Sequence, residues 1–223
     1  MAYAAKQEAD RVTVTVYDIK QHQTITIYAQ KVILASPQFV NQRLLQGTDR
    51  PGFNADTLQH SPWLIANLTV NDLPYTKGAT LCWDNVAYGA LSVGYVNANQ
   101  QIVSVADNKR VLTYYLPLSS QEPRIARLAA YARTYEQWLD IIIPEMEKMH
   151  PGITPHIEAA DLWLWGHGMI SPAVDYVWGG ERAQARQPIG NRVFFAHTDL
   201  SGVSVFEEAF HQGIQAAKQV LQK

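Results

Sequence analysis

The stretch that decides the fold is Val193 to Lys223, VFFAHTDLSGVSVFEEAFHQGIQAAKQVLQK. It opens on Val193-Phe194-Phe195-Ala196. A short unbroken apolar run of this kind reads as a strand buried on both faces. A polar turn follows through His197-Thr198-Asp199 and Ser201-Gly202. Ser204 and Glu207 then stand at the spacing of a capping box, which predicts the start of a helix. Phe206, Ala209, Phe210, Gly213, Ile214, Ala217 and Leu221 recur at steps of three and four and fall on one face of that helix. Ala209, Gly213 and Ala217 make a row of small residues that permits close approach to a backbone or a flat ligand.

A helix start carries free N–H groups and a partial positive charge, so it can hold an electron-rich carbonyl or a phosphate. The Asp199 carboxylate can accept hydrogen bonds from sugar-like hydroxyls. On spacing alone, an ordinary capped strand–turn–helix is the simpler reading.

The same residues resemble the C-terminal flavin-binding segment of the FAD-dependent amine oxidase and phytoene-desaturase-like oxidoreductases. That pattern is a strand, then Ala-Gly-Asp or Ala-Gly-Glu, a turn of small residues, and a helix near Glu-Gly-Ala with Ser-Gly one turn on. Here it is matched by Ala196-His197-Thr198-Asp199, Glu207-Glu208-Ala209 and Gln212-Gly213, with departures at His197, Glu208 and Gln212. The resemblance implies that Asp199 contacts the ribityl or pyrophosphate part of FAD. It implies further that Gly202 belongs to the cofactor turn and that N–H groups around Val205 and Phe206 face the flavin ring. Val32-Ile33-Leu34-Ala35-Ser36-Pro37 is similar to the family's Val-Ile-x-Ala-x-Pro strand, which re-enters the FAD domain after a small hairpin. That hairpin corresponds to the alternating runs Arg11 to Asp18 and Thr24 to Ala29.

Bulk properties narrow the function classes. The chain has 223 residues, 47% hydrophobic and 17% charged, with 18 basic and 20 acidic side chains for a net charge of −2. This is a globular composition long enough for a sizeable core, and it lacks the basic excess of a nucleic-acid surface. One cysteine, Cys82, excludes an internal disulfide framework and any multi-cysteine metal site, and reads as a small buried hydrophobe. The seven histidines show no metal-ligand spacing. The first thirty residues do not resemble a signal peptide, and no apolar run approaches the ~20 residues of a membrane span, so the expected location is the cytoplasm.

Between the two flavin-like segments the pattern changes. Gly47 to His60 is turn-rich, with Asp49, Pro51 and Gly52. Trp63 to Val70, Leu81 to Tyr88, Ala90 to Val96, Ile102 to Val105 and Val111 to Leu116 predict an antiparallel sheet rich in aromatics. Most of Trp83, Tyr88, Tyr95, Tyr114 and Tyr115 are expected in a core and one or two facing a cavity. Ser119-Ser120-Gln121-Glu122-Pro123 starts a long amphipathic helix, and Pro144 is expected to kink it. Ile157 to Trp165 predicts a further strand, ending at the turn Gly166-His167-Gly168. Trp165, His167 and the following proline resemble a Trp-x-His-Ala-x-Pro segment placed near the substrate side of the flavin.

The reading is an α+β chain in two parts. Residues 46–190 are expected to form a substrate-binding domain, an antiparallel sheet packed on a long kinked helix. Residues 1–45 and 191–223 are expected to form the remnant of a split, Rossmann-like FAD-binding domain. The Gly-x-Gly-x-x-Gly segment of such a domain has no counterpart, so the resemblance spans about the last half of a family member. Expected site residues are Asp199, Gly202, Val205 and Phe206 for FAD, and Trp165, His167 and Tyr95 for a substrate pocket. The expected function is flavin-dependent oxidation of a small organic substrate, with the nucleotide-binding half as partner. The other reading is a non-catalytic truncated or interaction module that forms homo-oligomers through an exposed docking face.

Overall fold

A computed structural model of the chain describes residues 1–45, 47–48, 50, 53–54, 57–74, 77–98 and 108–222. The fold is α+β, with two compact units, residues 1–59 with 170–223 and residues 60–169. Both borders fall inside long strands, β5 and β9 below, rather than at the turn-rich passages near 46 and 190.

In the first unit, β1 (Ala2–Gln7), β2 (Val12–Asp18) and β3 (Gln23–Ala29) form an antiparallel sheet in that order. The β2–β3 hairpin is the one expected from alternation; β1 carries no such signal in the sequence. β4 (Val32–Leu34) pairs in parallel with β10 (Val193–Phe195), Val32 opposite Val193 and Leu34 opposite Phe195. All three β10 residues are buried, as an unbroken apolar run requires. The core joins Val12, Leu34, Ala185, Val193, Phe195 and Leu200. α1 (Gln38–Leu44) follows β4, α4 (Glu181–Ala185) precedes β10, and α5 (Phe206–Leu221) closes the chain.

The second unit is built on a sheet in the order β6-β7-β8-β5-β9. Its strands are β5 (Leu58–Asn71), β6 (Asp84–Asn85), β7 (Tyr95–Asn97), β8 (Lys109–Pro117) and β9 (Ile157–Pro172). α2 (Pro123–Tyr131) and α3 (Tyr135–Met149) cover one face. Leu64, Ala66 and Leu68 of β5 and Leu112, Tyr114 and Leu116 of β8 pack there against Trp138, Ile142 and Met146 of α3. Each fully buried side chain of this size contributes about 1.5–3 kcal/mol.

Four local expectations are corrected. The long helix breaks at 132–134, and Pro144 lies inside its second part, α3. Thr134 and Gln137 form a reciprocal capping box that restarts the chain as a new helix. The strands expected over 81–88 and 90–96 shrink to β6 and β7, because Gly89 and Gly94 take left-handed φ of 72° and 91°. β9 continues through Gly166 and Gly168, where a turn was expected. Tyr131 lies against Gly166, and a Cβ at Gly168 would stand 2.9 Å from Trp63. Cys82 is exposed, since Asn85 bonds both its N–H and its carbonyl and turns it outward. The strand expected at Ile102 to Val105 lies outside the described residues, as do Asp49, Pro51 and Gly52.

No helix of the described residues is long and apolar enough to cross a membrane, and no cluster among them could hold a metal ion.

Candidate functional site

The flavin-like residues of the first unit sit on the segment from β10 to α5. After β10 the chain makes a short 3-10 turn, Thr198–Leu200, and reaches α5 through Ser201-Gly202-Val203-Ser204. Asp199 is fully buried. Its Oδ2 accepts the backbone N–H of Gln38 at 2.7 Å, the first residue of α1, whose preceding Pro37 offers no capping side chain. The buried carboxylate therefore caps a helix 161 positions away in sequence. Its Oδ1 lies 3.0 Å from Nδ1 of His197, and the same nitrogen accepts the Asp199 N–H at 3.1 Å, capping the 3-10 turn.

Gly202 is buried with φ 78°, and a Cβ there would stand 3.2 Å from the Tyr176 ring. The Tyr176 hydroxyl donates to the Asp199 carbonyl at 2.6 Å, and burial raises its pKa well above the ordinary tyrosine value. Arg186 Nε donates to the Leu200 carbonyl at 3.0 Å. The turn is thus pinned from three sides.

The Ser204–Glu207 capping box is not formed. The Ser204 hydroxyl accepts the Ile170 N–H at 2.9 Å, and α5 starts at Phe206, after Val205, without a side-chain cap. A tertiary donor won the hydroxyl, which leaves first-turn N–H groups of α5 for water or a ligand. Val205 and Phe206 are exposed there, with Glu207 and Glu208 in the first turn. Two carboxylates disfavour a phosphate at this tip. They leave a neutral carbonyl edge as the group that fits.

In the second unit, alternation puts Trp163 and Trp165 of β9 on the side away from α3, since Ala160, Leu162 and Leu164 pack into the core; Gly166 faces Tyr131 of α2 and Gly168 faces Trp63, so the alternation is interrupted at His167. The paired residues Ile65 with Tyr115 and Asn67 with Thr113 occupy the same open side. Trp163 and Trp165 are more than half exposed. The His167 ring meets the buried His60 ring edge-on at 6.1 Å, and Arg127 ties the His60 and Gly166 carbonyls together.

Tyr95 does not join Trp165 and His167. It pairs with Tyr114 on the core side, and its hydroxyl meets His150 Nε2 at 2.6 Å. Burial raises its pKa to about 12 and lowers that of His150. Tyr95 and His150 border a different cavity, of about 710 Å³, with Cys82, Asp84 and Lys148. Of the five aromatics followed from the sequence, Tyr95 and Tyr114 are core, Tyr115 is half-buried on the open face, and Trp83 and Tyr88 are exposed.

No family model and no curated protein matches the sequence. Solved structures do match. The cyclohexylamine oxidase from Brevibacterium oxydans IH-35A superposes with a TM-score of 0.66 at 11% identity, over 99% of this chain and 47% of that one. The CLA-producing fatty acid isomerase from P. acnes gives 0.57 at 14%, over 97% and 46%. The PF1083 protein from Pyrococcus furiosus gives 0.56 at 12%, over 98% and 46%. The chain shares its fold with part of each of these structures. It spans about half the length of each of these structures.

Gln38, Tyr176, Arg186 and Ser204 went unseen as turn-fixing residues. Each acts through one long-range hydrogen bond, which leaves no periodic trace in sequence.

Proposed function

We propose that the chain is the C-terminal, flavin-facing and substrate-side part of an FAD-dependent, amine-oxidase-like oxidoreductase that works with a nucleotide-binding half. The observation that carries the reading is the uncapped start of α5, delivered by a buried strand and a turn pinned on three sides. The likeness to cyclohexylamine oxidase over nearly the whole chain supports it.

In this reading the Phe206 N–H, and that of Val205 once released from the Val203 carbonyl it meets at 3.1 Å, hold the carbonyl edge of the flavin ring. Gly202 and Asp199 fix the turn that aims them. The open face of the sheet at Trp165, with His167 further along β9, receives the substrate; the indole presents an apolar wall and the imidazole a titratable group. A bound flavin supplies the two-electron acceptor. The chain orients the reactants and excludes water. The substrate class is a small organic molecule with an oxidisable carbon.

The test is an FAD titration of the full chain, co-expressed with a Gly-x-Gly-x-x-Gly half, with visible flavin absorbance as readout. Phe206→Pro removes one N–H at the first helical position, where proline is tolerated. Val205, with φ −132° and ψ 156°, already has the conformation a residue before proline needs. A flavin-loaded complex that Phe206→Pro weakens without lowering its melting temperature supports the assignment. A preparation that stays colourless with excess FAD, although both halves copurify, refutes it.

A further inference from the structure

Helix α5 buries a glutamine and leaves its phenylalanines outside. Phe206, Phe210 and Ile214 are exposed, and the residues it buries are Gln212 and Ala216. His211, Gln212, Gln215 and Gln219 fall on one side of the helix at 3.6 residues per turn. On that side a cleft of about 250 Å³ opens. Its floor is the buried Leu200 and Ala216, and its walls are Arg186, His211 and the three glutamines. No acidic side chain is among its described walls.

Arg186 decides what the cleft can take. Its Nε donates to the Leu200 carbonyl at 3.0 Å, its one hydrogen bond among the described residues. No ion pair among the described residues includes it. Burial, and then repulsion from Arg182, push its pKa below the ordinary arginine value; Glu208 attracts it less than these oppose it. A partly buried charge normally has a counter-charge, because desolvation is costly without one. The two Nη groups remain for a ligand, in the fork geometry that suits an oxyanion. Gln212 is 2% exposed, yet its amide nitrogen has only Glu208 Oε2 at 3.5 Å, beyond a good hydrogen bond. Donors on several walls suit a tetrahedral oxyanion better than a flat carboxylate. The volume lies below the ~300–1,000 Å³ of sites that enclose a whole drug-sized ligand, so the cleft fits one such group.

We propose that this cleft binds a phosphate group, held by the Arg186 fork and the amides of Gln212, Gln215 and Gln219, with His211 at the rim. The cleft follows the middle of α5, not the Val205–Phe206 start that the flavin reading uses, and its occupancy is independent of that reading.

The test is an NMR titration of the full chain with inorganic phosphate, with chloride holding the ionic strength constant. Phosphate is expected to shift the side-chain amide signals of the three glutamines saturably. Gln215→Glu sets a carboxylate on an exposed wall position and weakens binding about tenfold or more, the scale of one charge-assisted contact. It leaves the melting temperature unchanged, because glutamate and glutamine are equal helix formers. Gln23→Glu, the same change of charge on the exposed strand β3, leaves the affinity unchanged. Glycerol phosphate distinguishes the sources: tighter binding than inorganic phosphate assigns the site to a phosphate ester, weaker binding to the free ion, and either supports the proposal. Shifts that do not saturate overturn it, as does equal affinity in Gln215→Glu and Gln23→Glu. Acetate that binds as tightly as phosphate at the same signals overturns it too.

Discussion

Replacing Asp199 separates a scaffold role from a ligand role. The carboxylate is fully buried and accepts the Gln38 N–H at 2.7 Å, with His197 at 3.0 Å on the other oxygen. Asp199→Ala removes a charge-assisted hydrogen bond worth about 1.5–3 kcal/mol. It also leaves the Gln38 N–H buried at a helix end with no other side-chain cap, so the total loss is about 3 kcal/mol. Asp199→Asn keeps an acceptor for that N–H and costs about 1 kcal/mol. With a urea slope of about 2 kcal/mol per M, Asp199→Ala moves the midpoint down by roughly 1.5 M. Amide exchange locates the loss, because protection should fall in β4, α1 and β10 and not in the sheet of the second unit. An Asp199→Ala chain as stable as wild type would refute the capping argument. Flavin affinity lost in Asp199→Asn beyond its small stability cost would show that the carboxylate also meets the ligand.

Three further outcomes are expected. Glu145 of α3 is buried and accepts the Leu91 N–H at 2.6 Å, the Ser92 N–H at 3.3 Å and the Tyr114 hydroxyl, so Glu145→Ala lowers stability by about 3–5 kcal/mol in thermal unfolding and frees the 86–94 loop to exchange. Gly202→Ala puts a Cβ at a left-handed φ of 78° and 3.2 Å from Tyr176, and a drop in melting temperature equivalent to about 1–3 kcal/mol is the measurement. Burial lowers the His150 pKa below 6.5, so the unfolded chain takes up a proton that the folded chain refuses. Stability therefore falls as pH drops below about 6.5, and His150→Gln removes that slope; on the alkaline side, Tyr95, raised to about 12, makes stability fall as pH climbs past about 10.

The sequence alone was sufficient wherever a local pattern repeats. The apolar run at Val193, the hairpin from Val12 to Ala29, the proline-led start of α2 and the alternation in β5 and β8 each reflect a period of two or 3.6, which burial imposes on the chain. They were enough for the α+β class and for a strand–turn–helix at the C-terminal end. Tertiary structure decided which partner each polar group found. Ser204 had the spacing of a cap, yet its hydroxyl went to Ile170. Asp199 was read from its motif alone, and the fold adds that its carboxylate holds the start of α1. Tyr95 and Trp165 looked like one pocket, yet they lie on opposite faces of a sheet. A hydrogen bond is short-ranged and directional, so its partner depends on which distant backbone arrives within 3 Å. The direction an amphipathic helix faces is likewise set by what it packs against. For α5 the stripe was plain in the sequence, and only the assembled fold showed that it points outward.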